Sequence, residues 1–178
     1  NKGISTKLLK MFCVLLTAIS CSFTVHLSNA ADVIDDEGTV VHLVKPAARI
    51  ISLAPSLTEI IYAAGAGERL VGAVEYSDYP EEAKALPIIG RFDLLDMERI
   101  LELQPDLIVA WQTGNPKASI NRLRELGLTV YIAEPKSLAS IPSHIERLSI
   151  LAATESLAQK STIAFKLKLD SLQKEFSS

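Results

Sequence analysis

The strongest constraint on the fold is a regular alternation of short, continuous apolar runs with segments that carry helix start signals. A continuous apolar run indicates a strand covered on both faces, because a strand with one wet face has polar residues at every second position. Strands and helices alternating at this spacing predict βαβ units and a mostly parallel sheet. The predicted strands are residues 49–53, 70–74, 107–111 and 129–133, with a shorter one at 88–89.

Helix start signals lie between these runs. Ser56 followed three residues later by Glu59 matches a capping box, with Ser56 as the N-cap. Asp96 is predicted to cap the next helix. Asn115 is predicted to cap the one after it, with Pro116 at the first helical position. We therefore expect an α/β fold in which helices flank the sheet.

The two ends of the chain depart from this pattern. Residues 33–44 predict a hairpin, because β-branched runs flank an acidic turn that ends in glycine. From about residue 141 the pattern is helical to the end, with a break near residues 153–154. The last helix has an apolar face that needs a packing partner, formed by Phe165, Leu169, Leu172 and Phe176.

Residues 1–30 are predicted to be a signal peptide. Lysines precede an apolar run at residues 11–25, and the small residues Ser28 and Ala30 match a cleavage site. The run is shorter than the roughly 20 residues that a membrane-spanning helix needs. A lipid anchor at Cys21 is the minor alternative. In either case we expect the protein to work in the periplasm or its extracytoplasmic equivalent.

Composition excludes several classes of function. The chain has a net charge of −3 and no basic block, so nucleic acid is not an expected partner. A hydrophobic share of 48% excludes a disordered chain. Both cysteines, Cys13 and Cys21, lie in the predicted signal segment. The mature part is therefore expected to lack disulfides, thiolate nucleophiles and cysteine-based zinc sites.

No strong catalytic motif is present. Residues 65–67 contain two glycines but follow a helix and lack the third glycine of a dinucleotide loop, so a helix C-cap and turn is favoured. His42 and His144 are the two histidines after residue 30. With nearby carboxylates they could form the metal centre of an exported hydrolase, although solvent-exposed histidines are the favoured interpretation. We expect neither catalysis nor a bound metal.

Aromatic residues follow the ends of several predicted strands. Ligands of open α/β sheets bind outside the carboxyl ends of the strands, where these loops lie. Tyr76, Phe92 and Trp111 are predicted to form a flat apolar platform there for a bulky planar or macrocyclic ligand. For Trp111, core packing and ligand contact stay equally open. Ser56 lies in a neighbouring loop, where the helix cap is its favoured role.

Four segments, in this order, resemble the cobalamin-binding periplasmic proteins. These are helical-backbone, class III substrate-binding proteins that feed ABC importers, alongside siderophore and haem binders. The segments are RIISLAPSLTE at 49–59, YSDYP at 76–80, MERI at 97–100 and QPDLIVAW at 104–111.

The resemblance implies two α/β lobes joined by one long helix, with the ligand held between them. Residues 31–152 would form the N-terminal lobe, residues 153–178 would begin the interdomain helix, and the C-terminal lobe would be missing. The ligand contacts carried over are Ser56, Tyr76, Phe92 and Trp111, with Phe92 standing where the cobalamin binders have Trp.

The resemblance also implies partners and a function. Glu98 matches a carboxylate that docks on the importer's membrane subunit, although an acidic residue there also favours the helix dipole. We expect a monomer that captures cobalamin or a related corrinoid as transported ligand, without a cofactor, and delivers it to a permease and its ATPase. A haem or iron-siderophore binder, with Tyr76 ligating iron, is the alternative within the family.

Overall fold

The computed structural model describes residues 30–176. The predicted signal segment, apart from its last residue, and the alternative lipid site Cys21 lie outside the described residues. In chain order the elements are β1 (Ala31–Ile34), β2 (Val40–Leu43), β3 (Ile50–Ser52), α1 (Pro55–Ala63), β4 (Leu70–Ala73), β5 (Gly90–Arg91), β6 (Leu94–Leu95), α2 (Met97–Glu102), β7 (Leu107–Trp111), α3 (Lys117–Glu125), β8 (Val130–Ala133), α4 (Ile141–Ala152) and α5 (Glu155–Phe176).

A four-stranded parallel sheet forms the centre of the fold, in the order β4-β3-β7-β8. This confirms the α/β prediction, and the four longer apolar runs are its strands. The predicted strand at residues 88–89 is wrong, because this segment makes only an isolated bridge from Ile88 to Ala73. The pairing is still parallel, so the segment covers the outer edge of β4.

Continuous apolar strands bury both faces of the sheet. Ile50, Leu107 and Val109 point into one core beneath α1 and α4, while Ile51 and Ile108 point into the opposite core beneath α2 and α3. Successive strand residues face opposite sides, so each strand supplies both cores. The predicted terminal hairpin is confirmed as antiparallel β1 and β2, and it packs on the first of these cores.

Two of the three predicted helix caps are wrong. Helix α1 begins at Pro55, so Ser56 is already inside the first turn, and the N-cap Ala54 makes no side-chain capping hydrogen bond. The reason is that proline's fixed φ suits the first helical position. Helix α3 begins one residue later than predicted, with Pro116 as its N-cap. Asp96 does cap α2, since its carboxylate accepts a hydrogen bond from the Arg99 N–H.

The predicted break before the last helix is confirmed. Ala153 adopts a left-handed φ of 49° and ends α4. Thr154 then donates its hydroxyl hydrogen bond to the Ala64 carbonyl, which joins the start of α5 to the end of α1. Helix α5 has 22 residues, of which Ala158 and Thr162 are buried. Within residues 30–176, no helix is long and apolar enough to cross a membrane.

His144 corrects the prediction of surface histidines. His42 is exposed, but His144 is only 1% exposed. Its Nδ1 lies 2.9 Å from an Arg147 guanidinium nitrogen, and its Nε2 lies 3.6 Å from an Asp36 carboxylate oxygen. The cluster fixes the hairpin to α4, because Arg147 also donates to Asp36 at 2.8 Å. Sequence spacing gave no sign of it, since Asp36 lies more than a hundred residues away.

Burial and charge shift the pKa values in this cluster. Burial raises the pKa of Asp36, but hydrogen bonds from Arg147 and the Glu134 N–H outweigh it and hold the value below its usual range. Burial lowers the pKa of His144, and Arg147 lowers it further against the opposing attraction of Asp36. The folded state therefore favours a neutral imidazole beside an ionised carboxylate.

Candidate functional site

The strand order places a crevice between β3 and β7. The chain passes from β3 outward to β4 in one direction, and from β7 outward to β8 in the other. The loops that leave β3 and β7 therefore diverge at their carboxyl ends, which is where open α/β sheets bind ligands. Ser56 follows β3 and Trp111 ends β7, so both predicted residues lie at this position.

A cavity of about 600 Å³ opens beside this crevice. Trp111 forms part of its lining, together with Ile60 of α1, Ile145 of α4 and Phe165 of α5. Most of these groups are apolar, and the volume lies in the range of small-molecule sites. Of the residues predicted to form the apolar face of the last helix, Phe165 lines this cavity.

Trp111 packs on the core and also borders the cavity, so ligand contact stays a prediction beside core packing. Its side chain is half-buried and packs on the core beneath α1, and it also lines the cavity. A Cβ added at Gly114 would overlap the indole ring, so a glycine is needed for the ring to lie on this loop. The Phe92 ring lies against Trp111, with ring centroids 6.4 Å apart and planes tilted by 49°.

Asn115 is the main residue that sequence reasoning assigned wrongly. It does not cap α3 but is 3% exposed beneath the loops of the site. Its Oδ1 accepts from the Trp111 N–H at 2.6 Å. Its Nδ2 donates to the carbonyls of Leu53 at 2.9 Å and Phe92 at 2.8 Å. The sequence signal for this role was an amide residue in the turn after a strand, but a local motif indicates only a helix cap at such a position.

Tyr76 is not brought together with the other two aromatic residues. It has a left-handed φ of 66°, is 79% exposed and lines a separate depression of about 180 Å³. Tyr79, three residues later, lines the larger cavity instead. The loop is tied down by buried hydroxyls, because Thr58 lies 2.9 Å from the Ser52 hydroxyl and 3.2 Å from that of Ser77.

The larger cavity carries more negative than positive charge. Its ionic side chains are Glu59, Glu134 and Lys136. Glu134 is held by Thr113, whose N–H and hydroxyl donate to its carboxylate at 2.9 and 3.0 Å. Arg91, the basic residue next to Phe92, is paired with Asp93 at 2.6 Å and does not line the cavity.

Glu98 lies apart from this cavity. It is exposed in the first turn of α2, which packs on the opposite face of the sheet through Ile100. The position leaves its carboxylate accessible to a partner, and it also suits the helix dipole. Among residues 30–176 no group of three or more His, Cys, Asp or Glu side chains is placed to hold a metal ion.

Two curated proteins illustrate which known sequences this chain is similar to. The vitamin B12-binding protein of Vibrio cholerae is 45% identical over 133 residues, which are 75% of this chain and 48% of that protein. The corresponding protein of Vibrio campbellii is 40% identical over 132 residues, 74% of this chain and 48% of that protein.

Solved structures of periplasmic binding proteins are also similar to this chain. The crystal structure of the periplasmic vitamin B12 binding protein BtuF of Vibrio cholerae matches with a TM-score of 0.70 and 45% identity, covering 75% of this chain and 52% of that one. A periplasmic haem-binding protein from Pseudomonas aeruginosa matches with a TM-score of 0.64 and 25% identity, covering 70% and 45%.

The chain spans about half the length of the curated relatives it matches. The family model described as "periplasmic binding protein" matches residues 50–178. This match covers most of the chain and includes the crevice, Trp111 and both long C-terminal helices. The chain therefore belongs to the periplasmic binding protein family.

Proposed function

We propose that the chain supplies the N-terminal wall of a cobalamin site in an extracytoplasmic binding protein that feeds an ABC importer. The observation that carries the proposal is the half-buried Trp111 ring, which lines a cavity of about 600 Å³ at the divergence of β3 and β7. An aromatic ring beside an apolar recess suits a large macrocycle. The 45% identity to a vitamin B12-binding protein supports the choice of macrocycle.

Charge at the cavity favours cobalamin over haem or an anionic siderophore. The corrin ring carries uncharged amide groups, whereas haem carries propionate groups. Among the described residues, the lining contains two carboxylates, Glu59 and Glu134, and one cation, Lys136. An anionic ligand would meet net negative charge there, and like charges placed together disfavour binding. The exposed Tyr76 phenol lines a different depression, which weakens its proposed role as an iron ligand in this cavity.

Ligand contacts in the proposal are Ser56, Phe92 and Trp111, with Tyr79 added from the cavity and Tyr76 kept at the outer rim. Trp111 supplies an aromatic ring to the cavity lining, and the Phe92 ring, which is outside that lining, lies 6.4 Å from it between ring centroids. The residues bind and orient a ligand without any step of bond making. The proposal therefore contains no catalysis, resident cofactor or metal, and it does not extend to a hydrolase based on His42 and His144.

The family and the exposed position of Glu98 support the proposed transport partners. Membership of the family implies an extracytoplasmic location, and we propose that residues 1–30 direct export. Glu98 is proposed to dock on the membrane permease of an importer powered by an ATPase. Residues 31–152 are proposed as one lobe and residues 153–178 as the start of the helix to a second, in a monomeric protein.

The test is a titration of cyanocobalamin into the 178-residue chain, with fluorescence of Trp111, the only tryptophan, as the signal. Free tryptophan derivative in the same titration corrects for absorption of light by the ligand. Equilibrium dialysis measures binding independently and allows Trp111→Ala to be compared with Phe176→Ala, a control at a 79% exposed aromatic.

Saturable binding that Trp111→Ala weakens and Phe176→Ala leaves unchanged is the expected result. Because a cleft with one wall buries only part of its ligand, the titration extends to millimolar cobalamin. No binding in that range, or equal binding by Trp111→Ala, contradicts the proposal. A parallel titration with haem that binds more tightly than cobalamin would assign the site to the haem-binding branch.

A further inference from the structure

One buried amide connects the ends of β3 and β7 with the turn between β5 and β6. The Nδ2 of Asn115 donates to the Leu53 carbonyl at the end of β3 and to the Phe92 carbonyl in the turn between β5 and β6. Its Oδ1 accepts from the N–H of Trp111 at the end of β7. Each bond reaches a different segment. Leu53 lies 62 residues before Asn115 in sequence, and Phe92 lies 23 residues before it.

The chemistry of these contacts requires an amide. Both N–H groups of Asn115 are used as donors and its oxygen is used as an acceptor, which matches the inventory of a primary amide. A carboxylate would keep the contact with the Trp111 N–H but place negative charge against two carbonyl oxygens. At 3% exposure, water cannot compensate for the lost bonds.

The hydrogen bonds of Asn115 hold the backbones of the aromatic residues Trp111 and Phe92. Trp111 is held at its backbone by Asn115, and its ring lies over Gly114, where a Cβ would overlap it. Phe92 is held at its carbonyl by the same Asn115 amide. One side chain that does not line the cavity is therefore bonded to the backbones of both aromatic residues.

We propose that Asn115 is a positioning residue for ligand binding, which fixes Phe92 beside Trp111 and thereby sets affinity without touching the ligand. The inference rests on the proposed function, since the aromatic pair is the surface said to bind. It goes beyond that proposal because it assigns the pair's geometry to a residue outside the binding surface. A loss of one well-placed contact worth about 1.4 kcal/mol would lower affinity about tenfold.

The experiment compares Asn115→Asp and Asn115→Ser with a matched control, Asn121→Asp, at an exposed asparagine of α3. Asn115→Ser keeps an acceptor and one donor in a smaller group, so it serves where the aspartate variant fails to fold. Circular dichroism and urea denaturation establish folding for each variant. Equilibrium dialysis with cyanocobalamin gives the affinity.

Two readouts separate positioning from simple stabilisation. Acrylamide quenching of Trp111 without ligand reports how firmly the ring is seated, and we expect greater access in both Asn115 variants. A double-mutant cycle with Phe92→Ala tests the pathway, because a residue that acts through Phe92 loses most of its effect once that ring is removed. A purely structural residue would have the same effect in both backgrounds.

The expected result is an affinity about tenfold lower in folded Asn115 variants, with coupling to Phe92 and an unchanged Asn121→Asp control. Folded variants with wild-type affinity and wild-type quenching overturn the inference while cobalamin binding stands. Absence of binding by the wild-type chain overturns the proposed function. In that case, unchanged acrylamide quenching in the folded variants also overturns the positioning role, and increased quenching supports it.

Discussion

Tyr131 offers a sharp test of the packing between β8 and α4. Its side chain is fully buried, and its hydroxyl has no hydrogen-bond partner among the described residues. Burial raises the pKa of this phenol, which therefore stays neutral at physiological pH. Arg147 lies over the ring at 5.6 Å from its centroid, a contact that the ring alone supports. Replacement with phenylalanine removes the unpartnered hydroxyl and keeps the ring.

The magnitude follows from the cost of burying an unpaired hydroxyl. Protein mutational data place that cost at about 1–3 kcal/mol. Removing the oxygen leaves a small cavity, which offsets part of the gain in stability. We expect Tyr131→Phe to raise the free energy of unfolding by about 1 kcal/mol, the order of one buried polar contact. For a chain of this size the melting temperature should rise by about 2–4 °C.

The assay is urea denaturation followed by circular dichroism, with thermal melts as a second measure. Tyr79→Phe serves as the control, because that side chain is 67% exposed and removal of its hydroxyl should change stability by less than about 0.5 kcal/mol. If Tyr131→Phe is less stable than the wild type by about 1 kcal/mol or more, the hydroxyl has a favourable partner and the reasoning fails.

Three further predictions concern the site and the buried cluster. Gly114→Ala should displace the Trp111 ring, lower the free energy of unfolding by about 1–3 kcal/mol and weaken cobalamin binding. Wild-type stability in urea denaturation would contradict this. Thr58→Val removes a fully buried hydroxyl from its network and should cost about 1–2 kcal/mol in the same assay, whereas an unchanged urea midpoint would show that the network contributes nothing. Lower pH should destabilise the chain in two stages, because the folded state lowers the pKa of both His144 and Asp36: unfolded chains gain protons first below about 6.5 and then below about 3.8. In His144→Gln, the urea midpoint should change less between pH 8 and pH 5 than in the wild type. An unchanged dependence of the midpoint on pH would disprove the assignment of the first stage to His144.

The order of strands and helices could be predicted from sequence because its causes are local. Both faces of each central strand are buried, so residues 107–111 are apolar throughout, and β7 has these same bounds. Asp96 was also predictable, since its bond reaches only three residues ahead. Ser56 failed for an equally local reason, because Pro55 before it already occupies the first turn of α1. Two helix start signals, the proline and the capping box, adjoin here, and the helix begins at the proline.

The predictions for His144 and Asn115 were wrong for a different reason. Each has one partner nearby in sequence, but its burial also depends on partners that are remote in sequence. Asp36 meets His144 only after the hairpin has packed on α4, and the periodicity of α4 does not reveal whether a polar residue faces a buried carboxylate. Asn115 meets Leu53 and Phe92 only after the parallel sheet has formed. No pattern within a window of residues records such contacts.

The crevice and the residues that fill it therefore have different origins. Strand order alone places the loops after β3 and β7 side by side, so any sequence that folds this way has a crevice there. Which side chains face it depends on finer geometry. In the loop after β4, Tyr76 has a left-handed φ and lines one depression, while Tyr79 lines the larger cavity. A family motif locates the loop, but it does not tell which of the loop's two tyrosines lines the cavity beside Trp111, because that depends on how the folded loop lies.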